Sequence, residues 1–151
     1  GRAVVLDVSC MEPGGVITAD YLRAQNGALL SSDYVLFYTG WEKKWGTEAY
    51  YDDTFPVPDE EAAKYLVCCG LKGVGTDALS VDRLSGDGFK AHRALLGGGL
   101  VIVESLCLKK LVGREDIMFF ALPLKFKNAD GAPVRAIAEF RDFSEKEKEK
   151  G

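Results

Sequence analysis

Short apolar runs with strand composition alternate along the chain with short segments of helical spacing, and Gly or Pro separates most of them. The run at Tyr34–Thr39 is apolar or aromatic almost throughout, which is typical of a central strand covered on both faces. Alternating strands and helices predict an α/β domain. The predicted strands are Arg2–Val8, Tyr34–Thr39, Val74–Leu79, Leu100–Val103 (buried), Ile117–Phe126 and Val134–Phe140.

Capping and turn residues predict where the helices and the last hairpin lie. Thr18 is placed to cap a first helix and Gly27 to end it. Acidic residues 59–61 stand in the first turn of a second helix, and Gly70 follows its last turn. Asn128–Gly131 is a strong turn signal before the last strand. The predicted helices span residues 18–26, 59–69, 89–96 and 105–112.

Residues 40–58 are rich in aromatic side chains but show no sustained period of a helix or a strand. An irregular segment of this length is usually functional or disordered, and its aromatic content argues against disorder. We therefore predict a loop that forms a wall of a binding site. Trp41 and Trp45 line a pocket there or, equally compatible with the sequence, cover an edge of the sheet.

Length and charge narrow the class of protein. With 151 residues, of which 47% are hydrophobic, the chain predicts one domain over residues 1–140 and a charged, flexible tail over 141–151. A net charge of −4 argues against binding to nucleic acid. The apolar run at 117–124 is far shorter than the roughly 18 residues of a membrane span, so no membrane association is expected.

The four cysteines show no CxxC spacing, and the adjacent pair Cys68 and Cys69 rarely forms a bridge because its geometry is strained. We therefore expect reduced core cysteines and a cytoplasmic protein.

His92 is the only histidine, so any site that needs an imidazole must use it. No GxSxG motif is present, which argues against a serine hydrolase. Glu104 ends an apolar run, and the glycines at 97–99 reverse the chain between the two residues. Their side chains are therefore predicted to meet at one end of the sheet, as two metal ligands. The alternative is a histidine on a helix surface and a glutamate that caps a strand.

The segment Gly73–Asp82 places small and acidic residues at the end of a strand, where α/β folds often build their sites. Asp77 and Ser80 are candidates for the wall of a substrate site. A tight turn held by an Asx hydrogen bond explains them equally well. A phosphate-binding loop is disfavoured because the third glycine is absent.

Five blocks, in this order along the chain, closely resemble the cyclase family of metal-dependent hydrolases, which includes kynurenine formamidases and isatin hydrolases. The resemblance runs from Gly1 to about Phe140, and it implies a layered β/β/α domain of the swivelling type with a mixed sheet. The blocks are Tyr38–Trp41 with Trp45, Gly73–Asp82, Ala91–Leu96, Glu104–Leu106, and Phe120–Lys125 with Gly131–Ala136.

The resemblance implies a divalent cation, zinc or manganese, with His92 and Glu104 as two of its ligands. The substrate it implies is a small cyclic or N-acyl aryl amide such as N-formylkynurenine, which places the protein in tryptophan catabolism. Trp41, Trp45 and Phe55 would then contact the aryl group. Family members generally form homo-oligomers.

Family members also carry an upstream motif, HxGTHxDxP, that supplies the remaining metal ligands, and no residues of this chain match it. We therefore expect the downstream part of a longer enzyme, which holds a metal ion weakly or not at all when isolated. The alternative is a shortened, non-catalytic homologue that acts as an interaction or dimerisation module.

Overall fold

A computed structural model describes residues 1–86 and 88–141, and most of its strands belong to one six-stranded mixed sheet. The strands are β1 (Arg2–Asp7), β2 (Val16–Ile17), β3 (Tyr34–Tyr38), β4 (Val57–Pro58), β5 (Gly73–Thr76), β6 (Val101–Val103), β7 (Ile117–Pro123) and β8 (Val134–Phe140). The order in the large sheet is β6-β5-β3-β1-β7-β8. Strands β6, β5, β3 and β1 run parallel, whereas β7 and β8 are antiparallel to their neighbours. Strands β2 and β4 form a separate parallel pair.

The helices are short, and the residue directly before the helix caps two of them with its side chain. They are α1 (Ala19–Ala24), α2 (Asn26–Leu30), α3 (Glu60–Cys68) and α4 (Lys90–Gly97), with 3-10 helices at Trp41–Lys44, Glu48–Tyr51 and Lys109–Leu111. Thr18 Oγ1 accepts a hydrogen bond from the N–H of Tyr21 in α1, and Asp59 Oδ1 accepts one from Ala62 in α3. The cap at Thr18 agrees with the sequence prediction, whereas Asp59, predicted in the first turn of the helix, instead caps it.

Alternate residues of β3 point into two apolar layers, one on each face of the sheet. Val35 and Phe37 pack against the helices, whereas Leu36 and Tyr38 pack against the segment that follows β6 and against β7. All four side chains are fully buried. A Cβ at Gly75 in β5 would lie only 2.6 Å from Leu36 Cδ2, so a side chain there would force Leu36 to move. The predicted α/β class with a mixed sheet and short helices, and the central place of β3, are confirmed.

Three predictions about secondary structure are wrong. Gly27 does not end the first helix, because it lies inside α2, which follows α1 after one residue. The strand at 101–103 is not buried, because it forms an edge of the sheet and leaves Val101 exposed. The helix predicted at 105–112 is reduced to one 3-10 turn at Lys109–Leu111, because the N–H groups of Leu108 and Lys109 donate to Glu42 Oε2 rather than to carbonyls within a helix.

The remaining predictions are corrected in part. Residues 40–58 are not wholly irregular, because they contain two 3-10 helices and β4. The four cysteines are free as expected, but Cys10, Cys68 and Cys107 are exposed rather than in the core. The predicted tail at 141–151 lies outside the described residues except for Arg141. No helix in the described part of the chain has the length and apolar character needed to cross a membrane.

Candidate functional site

His92 and Glu104 meet beyond the end of β6, as the sequence predicted. His92 lies in the first turn of α4, and Glu104 directly follows β6. The distance from His92 Nε2 to Glu104 Oε1 is 3.4 Å. Both side chains are partly buried, with 26% and 32% of their surfaces exposed, so a small ligand can reach them.

A tight reversal between α4 and β6 brings the two residues together. The N–H of Leu100 donates to the carbonyl of Leu95 at 3.0 Å, which closes the turn. Gly99 has φ +81°, a conformation that favours glycine. A Cβ at Gly98 would lie 2.5 Å from Val67 of α3, so that position has no room for a side chain. The glycines therefore allow β6 to return beside α4.

A third charged residue, Asp82, holds His92 from the other side of the ring. Asp82 Oδ2 lies 2.8 Å from His92 Nδ1 and also accepts a hydrogen bond from the backbone N–H of His92 at 2.8 Å. Asp82 Oδ1 accepts a bond from the N–H of Ala91 at 3.0 Å. Phe89, the residue that precedes α4, makes no side-chain cap, so Asp82 caps this helix from a distant loop. Sequence reasoning missed this role.

The two carboxylates determine the electrostatics of the imidazole. The pKa of His92 is raised above its ordinary value, chiefly because the ring hydrogen-bonds to Glu104, and Asp82 acts in the same direction. Partial burial opposes this rise. The site therefore favours a positive charge on the ring, or a cation in its place.

The loop before Asp82 also fixes Glu104, whose Oε1 accepts a hydrogen bond from the N–H of Val81 at 3.2 Å. The next residue, Ser105, has φ +57°, and its Oγ accepts a hydrogen bond from the Tyr50 hydroxyl at 2.8 Å. Tyr50 belongs to the aromatic segment at 40–58. Three separate parts of the chain therefore converge on the residues around Glu104.

His92 and Glu104 open into a cleft of about 630 Å³, a volume suited to a small molecule. Apolar side chains and the loop between β7 and β8 both contribute to its lining. The lining residues are Trp45, His92, Leu96, Ile102, Val103, Glu104, Ser105 and residues 130–134.

Of the three aromatic residues predicted to contact substrate, only Trp45 lines this cleft. Its ring is 67% exposed and packs edge-on against Tyr50, with 4.9 Å between the ring centroids. Trp41 is buried, and its indole N–H donates to the carbonyl of Tyr50 at 2.9 Å. Phe55 is fully buried and packs edge-on against Trp41. Trp41 and Phe55 therefore form a core behind the cleft.

Asp77 and Ser80 also lie outside the cleft, at buried positions. Asp77 Oδ1 accepts hydrogen bonds from the N–H and the hydroxyl of Thr39, at 2.7 and 2.6 Å, and Oδ2 accepts one from the N–H of Glu42 at 3.2 Å. Burial raises the pKa of this carboxyl. Ser80 Oγ accepts a bond from the N–H of Asp82 at 3.2 Å. The structure therefore gives both residues partners that stabilise loops beside the cleft.

The donor atoms that face the cleft fit part of a metal site. A neutral imidazole nitrogen and a carboxylate oxygen are both ligands of zinc and manganese. Within residues 1–86 and 88–141, no group of three or more His, Cys, Asp or Glu side chains is placed to hold a metal ion. Asp82 does not complete such a group, because it contacts Nδ1 while Glu104 faces Nε2. The described residues thus offer two donors.

Comparison with known proteins gives relatives of similar sequence and fold. The kynurenine formamidase of Salinibacter ruber is 38% identical over 142 residues, which cover 91% of this chain and 61% of that protein. An isatin hydrolase solved with the product analogue thioisatinate superposes with a TM-score of 0.80 at 26% identity, covering 91% of this chain and 58% of that one. The structure of a predicted metal-dependent hydrolase from Bacillus stearothermophilus gives a TM-score of 0.65 at 30% identity, over 90% and 62% of the two chains.

The chain spans about half to three fifths of the length of curated relatives that it matches. Residues 1–83, more than half of the chain, match the Cyclase family, described as "Putative cyclase". Sequence, fold and relatives agree, and the chain belongs to the Cyclase family.

Proposed function

We propose that this chain is the downstream part of a metal-dependent hydrolase that acts on cyclic or N-acyl aryl amides. The leading candidate is the hydrolysis of N-formylkynurenine to kynurenine and formate, a step of tryptophan catabolism. The observation that carries the proposal is the placement of His92 Nε2 and Glu104 Oε1, 3.4 Å apart, beside an open cleft. The relatives named kynurenine formamidase and isatin hydrolase support it.

In this proposal His92 Nε2 and the Glu104 carboxylate hold a divalent cation, zinc or manganese. A cation bound there activates water and polarises the amide carbonyl. The remaining donors come from a segment outside this chain, since a catalytic zinc site usually has three protein ligands and the described residues offer two. Residues 1–140 then form one cyclase-type domain.

The cleft supplies the binding surface for the aryl group. Trp45 presents an exposed indole ring, and Leu96 and Ile102 add apolar surface beside it. Aromatic substrates stack on such rings and displace water from them. Trp41, Phe55, Asp77 and Ser80 act indirectly in this account, because the structure buries them behind the wall.

We also propose a cytoplasmic homo-oligomer. The four free cysteines agree with a reducing compartment. Leu122 and Ile137 expose large apolar side chains on the hairpin formed by β7 and β8, and such surfaces commonly lie in interfaces.

The same apolar surface favours one alternative, a non-catalytic homologue that acts as an interaction or dimerisation module. The two functions make different demands on His92. An enzyme loses activity when His92 is replaced, whereas a dimerisation module keeps its association. Turnover by the longer polypeptide, and its loss in the His92→Ala variant of that polypeptide, therefore discriminate between them, because a non-catalytic homologue gives no turnover in either.

The test is an assay with N-formylkynurenine and isatin, with zinc or manganese supplied. We expect no appreciable turnover by this chain alone. A longer polypeptide that adds the upstream HxGTHxDxP segment should turn over an aryl amide, and a chelator should abolish that activity. His92→Ala and Glu104→Ala should each remove it, whereas Arg93→Ala, on the exposed side of α4, should not.

Two results would contradict the proposal: activity in the longer protein that persists after His92→Ala, or activity that a chelator leaves unchanged. Chelator-sensitive turnover by the isolated chain would instead show that the two donors suffice, and would refute the need for an upstream segment.

A further inference from the structure

Asp82 contacts His92 but neither lines the cleft nor serves as a ligand in the proposed function. It precedes His92 by ten residues and contacts both the backbone and the ring of that residue. A carboxylate in this position can do more than cap a helix.

One carboxylate oxygen of Asp82 contacts both the backbone of α4 and the imidazole ring of His92. Asp82 Oδ2 accepts the backbone N–H of His92 and lies 2.8 Å from Nδ1 of the same residue. Oδ1 is occupied by the N–H of Ala91. Because both ends of the carboxylate are fixed to α4, the ring cannot rotate without losing a hydrogen bond.

The loop that carries Asp82 also fixes the other member of the pair. The N–H of Val81 donates to Glu104 Oε1, while the next residue holds His92. Asp82 is itself anchored, because its N–H donates to Ser80 Oγ at 3.2 Å. Adjacent residues of one loop therefore set the positions of both proposed ligands.

The distances from the two carboxylates to the His92 ring indicate which ring nitrogen carries the proton when the imidazole is neutral. An ionised carboxylate only accepts hydrogen bonds, so Asp82 at 2.8 Å favours a proton on Nδ1. Glu104 competes for a proton on Nε2 from 3.4 Å, and its Oε1 already accepts the N–H of Val81. The shorter contact favours the Nδ1–H tautomer, which leaves the lone pair of Nε2 directed at the cleft.

We propose that Asp82 is a positioning residue, which sets the tautomer and the orientation of His92 so that Nε2 faces the cleft as an electron-pair donor. A carboxylate that accepts the second N–H of a ligating histidine is the usual way in which proteins orient such a ligand. The binding of a cation by Nε2 rests on the proposed function. The tautomer and the ring orientation rest only on the contacts between Asp82 and His92.

The test is ¹⁵N NMR of the imidazole, recorded at a pH where the ring is neutral and the chain is folded. His92 is the only histidine, so the spectrum contains a single ring. We expect Nδ1 to carry the proton in the wild type. In Asp82→Ala the proton should move to Nε2, because only Glu104 then remains as an acceptor.

Two control variants separate positioning from helix capping. Asp59→Ala removes the aspartate that caps α3 and does not contact His92, so it should lower the unfolding midpoint without moving the proton. Glu104→Gln removes the competing carboxylate and should also leave the proton on Nδ1. A tautomer change in either control would show that the effect is not specific to Asp82.

The proposal is overturned if the wild type carries its proton on Nε2, a result that needs no variant and so stands even if Asp82→Ala does not fold. It is also overturned if folded Asp82→Ala retains Nδ1–H. Addition of Zn²⁺ to the same samples tests the proposed function separately. A wild-type ring that is Nδ1–H but insensitive to Zn²⁺ would count against the metal role and leave the role of Asp82 intact.

Discussion

The two halves of the large sheet differ in how their surfaces are covered. Beyond the parallel strands β3, β5 and β6, the carboxylates of Asp77, Asp82 and Glu104 each accept at least one backbone N–H from another segment. On the antiparallel hairpin of β7 and β8, Leu122 and Ile137 share the outer face and are exposed.

From this difference we infer that one half of the sheet positions the candidate site and that the other half takes part in association. These carboxylates hold the loops around His92 and Glu104 in place through contacts among the described residues. The hairpin leaves an apolar face without cover in the described part of the chain, and we propose that another copy covers it. Substitutions in the first half should therefore affect folding, and those on the outer face of the hairpin should affect association.

The largest effect is expected for Trp41→Ala, because this ring is buried against Phe55 and hydrogen-bonded to Tyr50. Loss of a large buried aromatic side chain costs about 3–5 kcal/mol of unfolding free energy. Urea unfolding followed by circular dichroism measures the change. Trp45→Ala is the matched control and should cost less than about 1 kcal/mol, because that ring is exposed. Equal losses of unfolding free energy in the two variants would contradict the placement of Trp41 in the core and of Trp45 in the wall of the cleft.

A smaller loss is expected for Asp77→Asn, which keeps the shape of a fully buried side chain. The amide can still accept from Thr39, but its NH₂ group then faces the N–H of Glu42. One unmet buried donor costs about 1–3 kcal/mol. Asp130→Asn, on the exposed hairpin loop, should change the unfolding free energy by less than about 0.5 kcal/mol. A stable Asp77→Asn would contradict the view that buried acceptors fix the site loops.

On the hairpin, Ile137→Lys should change the unfolding free energy by less than about 0.5 kcal/mol, as expected for an exposed position. It should nevertheless weaken self-association, because a charge would enter the proposed interface. Sedimentation velocity over a range of concentrations measures the proportions of monomer and oligomer. A wild-type chain that stays monomeric at high concentration would contradict the proposed oligomer.

The smallest effect is expected for the ion pair of Asp33 and Lys72, whose charged atoms are 2.8 Å apart and partly exposed. The hydrogen bond from Lys72 is the main reason that the pKa of Asp33 is below its ordinary value. The ion pair therefore stabilises the folded state above the unfolded pKa of Asp33, about 3.9. This stabilisation is lost as the pH falls through the lower pKa that Asp33 has in the folded state. Lys72→Ala should cost less than about 1 kcal/mol at neutral pH and nothing in strong acid. Lys110→Ala, at an exposed position, should show no such pH dependence.

Local signals account for the parts of the fold that the sequence predicts well. The turn at 128–131 and the β-formers after it predicted β8 at Val134–Phe140, which is where the strand lies. Acidic residues 59–61 predicted the start of α3, because negative side chains are stabilised in the first turn of a helix. Gly27 misled the prediction because glycine inside a helix costs only about 1 kcal/mol, which tertiary packing overrides.

The site is only partly visible in the sequence, because its key contacts join distant segments. The proximity of His92 and Glu104 followed from the glycine reversal between them. The cap that Asp82 provides to α4 could not be predicted, because capping rules apply to the residue directly before a helix. Trp41 and Trp45 differ only in the tertiary contacts that bury the first ring and expose the second.

The most direct test of the account is a titration of this chain with Mn²⁺, followed by NMR. Paramagnetic broadening detects weak binding, which is what two ligands should give. The account predicts that broadening is strongest at the His92 imidazole and at the backbone of Glu104 and Ser105, and that it disappears in His92→Ala while the fold is kept. Broadening centred elsewhere, or unchanged by His92→Ala, would contradict the assignment of His92 and Glu104 as metal ligands.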